Sequence, residues 1–253
     1  MTRASRVWIG WGLGLALALT ARADPKELER SHAPTAAESE PNPDSSPDTS
    51  ETSERMPIFV PRDTGAPQTR VGGATRGIEL RDLPSLRALV PAELGHTLEA
   101  QPTLYWHLSG PTEHRIDLTL IAEGAGPSDP LLQKTLVGPF TAGAKSIDLA
   151  GYGLSLEPDV TYLWYLSLIP SPDRRSEDRM SGGAIEVLLA PSELESQLTA
   201  ASTQERAIVL AGAGIWYDAL TFLSERIEAD PGDALARAQR AALLKQVGLP
   251  AML

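Results

Sequence analysis

The hydrophobic period changes once along this chain, near Pro191, and that change limits the folds open to it. Between Ile78 and about Ala190 apolar residues recur at every second position, interrupted by Gly, Pro and Asp. Beyond Pro191 they recur at helical spacing. Alternation puts successive side chains on opposite faces of a strand, whereas an i, i+4, i+7 pattern makes one helical stripe. A doubly wound fold interleaves the two periods and is excluded. Strands followed by helices remain.

In the strand half, Leu104, Trp106 and Leu108 fall on one face of residues 103–109, with Tyr105 and His107 on the other. Gly110-Pro111-Thr112-Glu113 reads as a turn. Ile116, Leu118 and Leu120 then alternate with Asp117 and Thr119 on an expected return strand. Ile147 and Leu149 mark a further buried strand, residues 160–169 another, and residues 184–189 a last candidate. About six to eight short strands separated by turns predict an immunoglobulin-like antiparallel β-sandwich.

In the helical half, Pro191-Ser192-Glu193-Leu194-Glu195 predicts a helix start, with Ser192 as N-cap and Glu195 completing a capping box. A second helix is expected from about Thr203 to Ala213. Trp216, Leu220, Leu223 and Ile227 then form one apolar stripe. Asp230-Pro231-Gly232-Asp233 ends that helix, and another is expected from Ala234 to Val247. The order resembles a tetratricopeptide repeat and a half. So short an array cannot bury its own face, so it is expected to pack on the sandwich or to continue in a partner.

The first 23 residues read as an address. Arg3 and Arg6 precede an uncharged apolar stretch from Val7 to Thr20, and Ala21-Arg22-Ala23 offers small residues at a cleavage point. The stretch is short for a membrane span, so a signal peptide cleaved after Ala23 is expected, with an uncleaved anchor as the rival. Residues 24–56 hold nine acidic and three basic residues and are rich in Pro, Ser and Thr. They predict a disordered linker, because too little apolar surface is present to offset the entropy of ordering. The expected organisation is therefore signal peptide 1–23, linker 24–56, sandwich 57–190 and helical region 191–253.

Charge and cysteine content narrow the function. The chain carries 22 basic and 33 acidic residues, a net −11. Loss of Arg3, Arg6 and Arg22 with the leader leaves 19 against 33, a net −14. That balance argues against binding nucleic acid and against docking on anionic lipid. Zero Cys excludes thiolate metal sites, a cysteine nucleophile and disulfides. Stability after export must then come from packing and hydrogen bonds.

Several segments together resemble the domain-of-unknown-function 928 family of bacterial exported proteins. They are Gly72-Gly73-Ala74-Thr75-Arg76-Gly77, Leu86-Arg87-Ala88-Leu89-Val90-Pro91, Pro102-Thr103-Leu104-Tyr105-Trp106, Tyr162-Leu163-Trp164-Tyr165, Asp173-Arg174-Arg175-Ser176-Glu177-Asp178 and Ala213-Gly214-Ile215-Trp216-Tyr217-Asp218-Ala219-Leu220. The last is the most specific. The resemblance spans about residues 57–250 and implies an exported protein with a sandwich and a helical end, without an established activity or ligand. It also implies Cys near the positions of Ile78 and Ile169 in many members; this chain has none.

Candidate chemistry is sparse. The glycines and arginines of residues 70–77 suit an anion-binding loop of backbone N–H groups, but neither a phosphate-loop nor a dinucleotide pattern is present, and an irregular lead-in strand is the plainer reading. If residues 110–113 close a hairpin, His107 and His114 become diagonal neighbours on one face, with Glu113 as a third metal ligand. The spacing does not support this, and the histidines read as surface side chains. No Gly-x-Ser-x-Gly elbow occurs. No catalytic, metal or cofactor residue is assigned, and no cofactor is expected.

Aromatic and loop residues carry the remaining signal. Trp106, Trp164 and Trp216 read chiefly as core. Tyr105, Tyr162 and Tyr165, if exposed, would mark a partner surface, as would Trp216, Tyr217 and Asp218 at the helical end and Arg174 and Arg175 in a charged loop. The resulting expectation is an exported non-enzymatic interaction or scaffolding module. Its partner would be another envelope protein, without stable membrane insertion. A hydrolase or carbohydrate-binding module using the sandwich loops is the alternative. A pocket holding polar groups of perturbed pKa would favour that alternative, and a flat apolar patch the former.

Overall fold

Alternation in residues 161–168 shows how the sequence builds the larger of two sheets. Tyr162, Trp164, Leu166 and Leu168 are buried, while Thr161, Leu163, Tyr165 and Ser167 are half-buried on the other face. This strand, β8 (Thr161–Leu168), pairs antiparallel with β5 (Ile116–Ala122), where Ile116, Leu118 and Leu120 lie opposite Leu168, Leu166 and Trp164. In this computed structural model the residues described are 56–62, 71–72, 83–126 and 128–249, all within the unit Thr49–Leu253. The expected leader, residues 24–55 of the linker, Ile78 and residues 73–77 of the glycine–arginine loop lie outside the described residues.

The six-stranded sheet runs β1 (Val71–Gly72), β9 (Arg179–Val187), β8, β5 and β6 (Leu132–Leu136), with β3 (Gly95–Thr97) parallel to the end of β9. The other sheet is β2 (Leu86–Ala88), β4 (Thr103–Leu108) and β7 (Gly143–Asp148), antiparallel throughout. Both sheets bury apolar residues in one core. Ala88 N donates to Ser181 Oγ at 2.8 Å, tying β2 to β9. Val90 occupies the space that a Cβ on Gly183 would need, its Cγ2 lying 2.7 Å from that position. Glycine at 183 thus lets the sheets approach.

One expectation fails here. Residues 103–108 and 116–122 do not form a hairpin: β4 lies between β2 and β7, and β5 lies between β6 and β8 in the other sheet. Residues 110–113 carry the chain across, and Thr112 forms a two-way backbone bridge with Phe140 at 2.9 and 2.8 Å. The crossing sets the apolar face of β4 against the core from the opposite sheet. His107 lies opposite Arg87 and Ala144, so His107 and His114 are not cross-strand neighbours.

Four helices follow: α1 (Ser192–Ala200), α2 (Arg206–Gly212), α3 (Trp216–Ala229) and α4 (Ala234–Gln246). The capping box at Ser192 is also corrected. Pro191 is the N-cap, Ser192 is the first helical residue, and no side chain caps the helix. Ahead of α2 only the glutamate half of such an arrangement occurs: the Glu205 carboxylate accepts from Ser202 N at 3.2 Å and Ser202 Oγ at 2.8 Å, while Glu205 N donates to the Ser202 carbonyl. Asp233 caps α4 by accepting from Ala236 N at 2.8 Å. The expected stripe on α3 is present, with Trp216, Leu220 and Leu223 buried and Ile227 packed against the same core.

Residues 56–62 form a strap along the helical end. Val60 N donates to Ala211 O at 3.1 Å, Phe59 N to Gln246 Oε1 at 2.9 Å, and Gln246 Nε2 to Pro57 O at 2.7 Å. The Phe59 ring meets Trp216 edge-on at 5.0 Å. Gly214, at φ +78°, is passed so closely by the strap that a Cβ there would sit 2.8 Å from Val60 O.

Candidate functional site

Three consecutive residues at the start of α3 reach three different parts of the sheets. Trp216 Nε1 donates to Leu89 O at 2.9 Å. Tyr217 Oη accepts from Trp164 Nε1 at 2.9 Å and donates to Ala184 O at 3.0 Å. Leu98 N donates to both Asp218 oxygens at 3.2 Å. One helical turn thereby grips the segment after β2, the β8–β9 pair and the segment after β3. Each bond satisfies a polar group that burial would otherwise leave unpaired, which makes the junction costly to separate.

Burial pushes the Tyr217 phenol far above its ordinary range, with the Trp164 hydrogen bond opposing, so it stays a neutral hydroxyl. Its ring lies so close to β3 that a Cβ on Gly95 would sit 2.7 Å from Cε2. Burial also raises the Asp218 carboxyl to about 6, opposed by hydrogen bonds from Thr97 and Leu98 and reinforced by the charge of Glu99.

Beside Asp218 opens a cavity of about 300 Å³. Residues 97–99 and 101–103 form one wall, and Leu198 of α1, Arg206 and Leu210 of α2, and Tyr217, Asp218, Phe222 and Glu225 of α3 form the others. The Arg206 guanidinium lies 5.9 Å from the Phe222 ring centre. A second cavity, of about 490 Å³, is lined by Pro84, Pro111, His114, Pro139 and Phe140 among others, far less rich in charge.

The residues singled out from sequence divide sharply. Trp216, Tyr217, Tyr105 and Tyr162 are buried. Tyr105 faces α3, where burial and then the carboxylates of Glu228 and Glu225 push its phenol up to about 12. Tyr162 Oη accepts from Glu157 N at 3.0 Å. Tyr165 is half-buried and packs over Gly182 on the outer face of the large sheet. Arg174 and Arg175 are exposed, with Arg174 paired to Glu177 at 2.6 Å and Arg175 to Asp178 at 2.7 Å and Asp117 at 3.7 Å. Pairs whose guanidinium stands in solvent, as both do here, add little stability. Of the eight residues, only Trp216, Tyr217 and Asp218 come together.

The histidines stay apart. His96 is buried in β3 opposite Glu186, its pKa lowered chiefly by burial. His107 is lowered by burial and then by Arg87 and Lys145. Among the described residues no group of three or more His, Asp or Glu is arranged to hold a metal ion, and no helix is long and apolar enough to cross a membrane.

Three of the segments quoted above from the sequence meet in this junction: Leu89, Trp164 and the Trp216–Tyr217 pair are hydrogen-bond partners. A protein family described as Domain of Unknown Function (DUF928) matches residues 71–253. The chain belongs to this family. No curated protein matches it. In this DUF928 chain the most specific of the resembling segments is thus a fastening between helix and sheet. Sequence reasoning missed Thr97, Leu98 and Arg206, which flank the same cavity. The only local signal for them was Gly95, whose small size admits the Tyr217 ring.

Proposed function

We propose that this DUF928 protein is an exported, non-enzymatic interaction or scaffolding module of the cell envelope, released by cleavage after Ala23. In this reading the two sheets are an immunoglobulin-like sandwich and the helices a tetratricopeptide-like end. The observation that carries it is the outer strand β6. It ends the large sheet, and the apolar residues flanking it, Leu131 and Val137, are 43% and 80% exposed. A terminal strand offers unpaired N–H and C=O groups to an extended segment of a partner, and flanking apolar side chains add selectivity. Lys134 shares the core-side face of β6 with Leu132 and Leu136 yet is exposed, and an ammonium there discourages indiscriminate strand addition.

A photo-crosslinking residue at Val137 tests the reading in the native envelope. One adduct of defined mass is expected there and none from Leu189, which is 73% exposed but away from β6. No adduct at 137, or the same adducts at both positions, would overturn it. Intact-mass measurement of the exported chain checks cleavage after Ala23.

The hydrolase or carbohydrate-binding reading has one observation in its favour, the cavity beside the raised carboxyl of Asp218. It predicts retention of the protein on immobilised envelope glycans, or their turnover, with loss of either in Asp218→Asn.

A further inference from the structure

We propose that the cavity beside Asp218 binds a zwitterion of the α-amino-acid class, its ammonium held by Asp218 and its carboxylate by Arg206. The inference stands on this cavity and not on the β6 edge, so either can fail without the other.

Opposite charges that share a cavity without pairing define the ligand. Arg206 and Asp218 both line the space, and neither forms an ion pair with the other or with another described residue. An amine alone would leave the guanidinium unmatched, and a carboxylate alone would leave Asp218 unmatched. A ligand carrying both satisfies both walls. The guanidinium, stacked near Phe222, presents a planar fork suited to a carboxylate. The two Asp218 oxygens share one N–H, that of Leu98, at equal distance. With Thr97 as the only further side-chain donor, acceptor capacity remains for an ammonium.

Size and lining narrow the class. About 300 Å³ lies at the low end of small-molecule pockets, roughly 300–1,000 Å³, and suits a ligand of amino-acid size. Leu198, Leu210 and Phe222 supply apolar wall for a short aliphatic chain. Glu99 and Glu225 add two negative charges, which favours a second ammonium on the ligand. L-Lysine should therefore bind more tightly than L-leucine. The raised Asp218 carboxyl agrees with a buried group that lacks a cationic partner.

The test is titration of the purified protein with L-lysine, L-leucine, n-butylamine and acetate, followed by calorimetry and by the Leu98 amide resonance. L-Lysine should give a saturable shift and bind at least about tenfold more tightly than n-butylamine or acetate. Asp218→Asn and Arg206→Gln should each weaken it by at least about tenfold. Arg206 is exposed, so its variant keeps the fold where Asp218→Asn risks loosening Leu98. The dipeptides Gly-Lys and Lys-Gly separate the sources: equal or tighter binding assigns a peptide end, weaker binding a free amino acid. No saturable shift with L-lysine, equal binding of n-butylamine, or a smaller loss in Arg206→Gln would overturn the proposal.

Discussion

The indole N–H of Trp164, in the middle of β8, donates to the hydroxyl of Tyr217 at 2.9 Å, and that hydroxyl donates onward to Ala184 O on β9. Helix and sheet are thus joined by a relay in which one oxygen accepts and donates. All three groups are buried, so nothing in water replaces a lost link.

Tyr217→Phe keeps the ring and removes the oxygen, leaving Trp164 Nε1 and Ala184 O without their bond. Unsatisfied buried groups cost about 1–3 kcal/mol each, so a loss of roughly 2–4 kcal/mol is expected in urea unfolding. Far-UV circular dichroism should be unchanged before the transition. A loss under about 1 kcal/mol would show that the relay contributes no more than an ordinary net hydrogen bond.

Gly182 and Gly151 should respond oppositely to alanine. A Cβ at 182 would lie 2.1 Å from Trp164 O, whereas nothing lies within 4 Å of one at 151. Overpacking typically costs about 1–3 kcal/mol, and a backbone collision belongs at or above the top of that range. Thermal unfolding of the two variants side by side measures the contrast. Equal midpoints would contradict the close pairing of β8 with β9.

Asp218 should make stability fall as pH rises. Its folded pKa, about 6, is above the ordinary 3.8, so the folded state binds the extra proton between those values. Stability is then greatest below about pH 4 for this group and declines through pH 6. About two units correspond to roughly 3 kcal/mol as an upper figure. Asp218→Asn keeps an acceptor for Leu98 N and removes the titration. The stability of the wild type relative to this variant should therefore drop between pH 4 and pH 7 in urea titrations. A flat difference would mean that the carboxyl is not raised.

Asp233 holds α4 by its N-cap bond and pairs with Arg226 at 2.6 Å. The cap bond, more than the Arg226 charge, holds its carboxyl below the ordinary range. Asp233→Ala should cost about 1–2 kcal/mol, and Asp233→Asn, which retains the cap, less. The order of the two unfolding midpoints decides which interaction dominates.

Much of the secondary structure was legible because it rests on local pattern. The alternation of residues 161–168, the α3 stripe and the Asp-Pro-Gly-Asp stop all appear where the spacing put them. Where pattern was weak, neighbours imposed structure. Residues 179–183 contain two adjacent glycines yet extend β9, because β8 pairs along their whole length. β6, with Gln133, Lys134 and Thr135 at its centre, lacks an apolar run and is held by β5. The site was legible only as a cluster of unusual residues. Trp216, Tyr217 and Asp218 stood out, but as a surface for another protein, and they grip this one.

What the residue order determined alone is the kind of element at each place, since alternation, stripe and cap chemistry act within a few positions of the chain. Whether β5 lies beside β4 or across from it, and which oxygen receives the Trp164 proton, was decided only by tertiary packing. An apolar strand face is equally well buried by either arrangement. A buried donor, likewise, must find an acceptor wherever the close-packed interior happens to bring one.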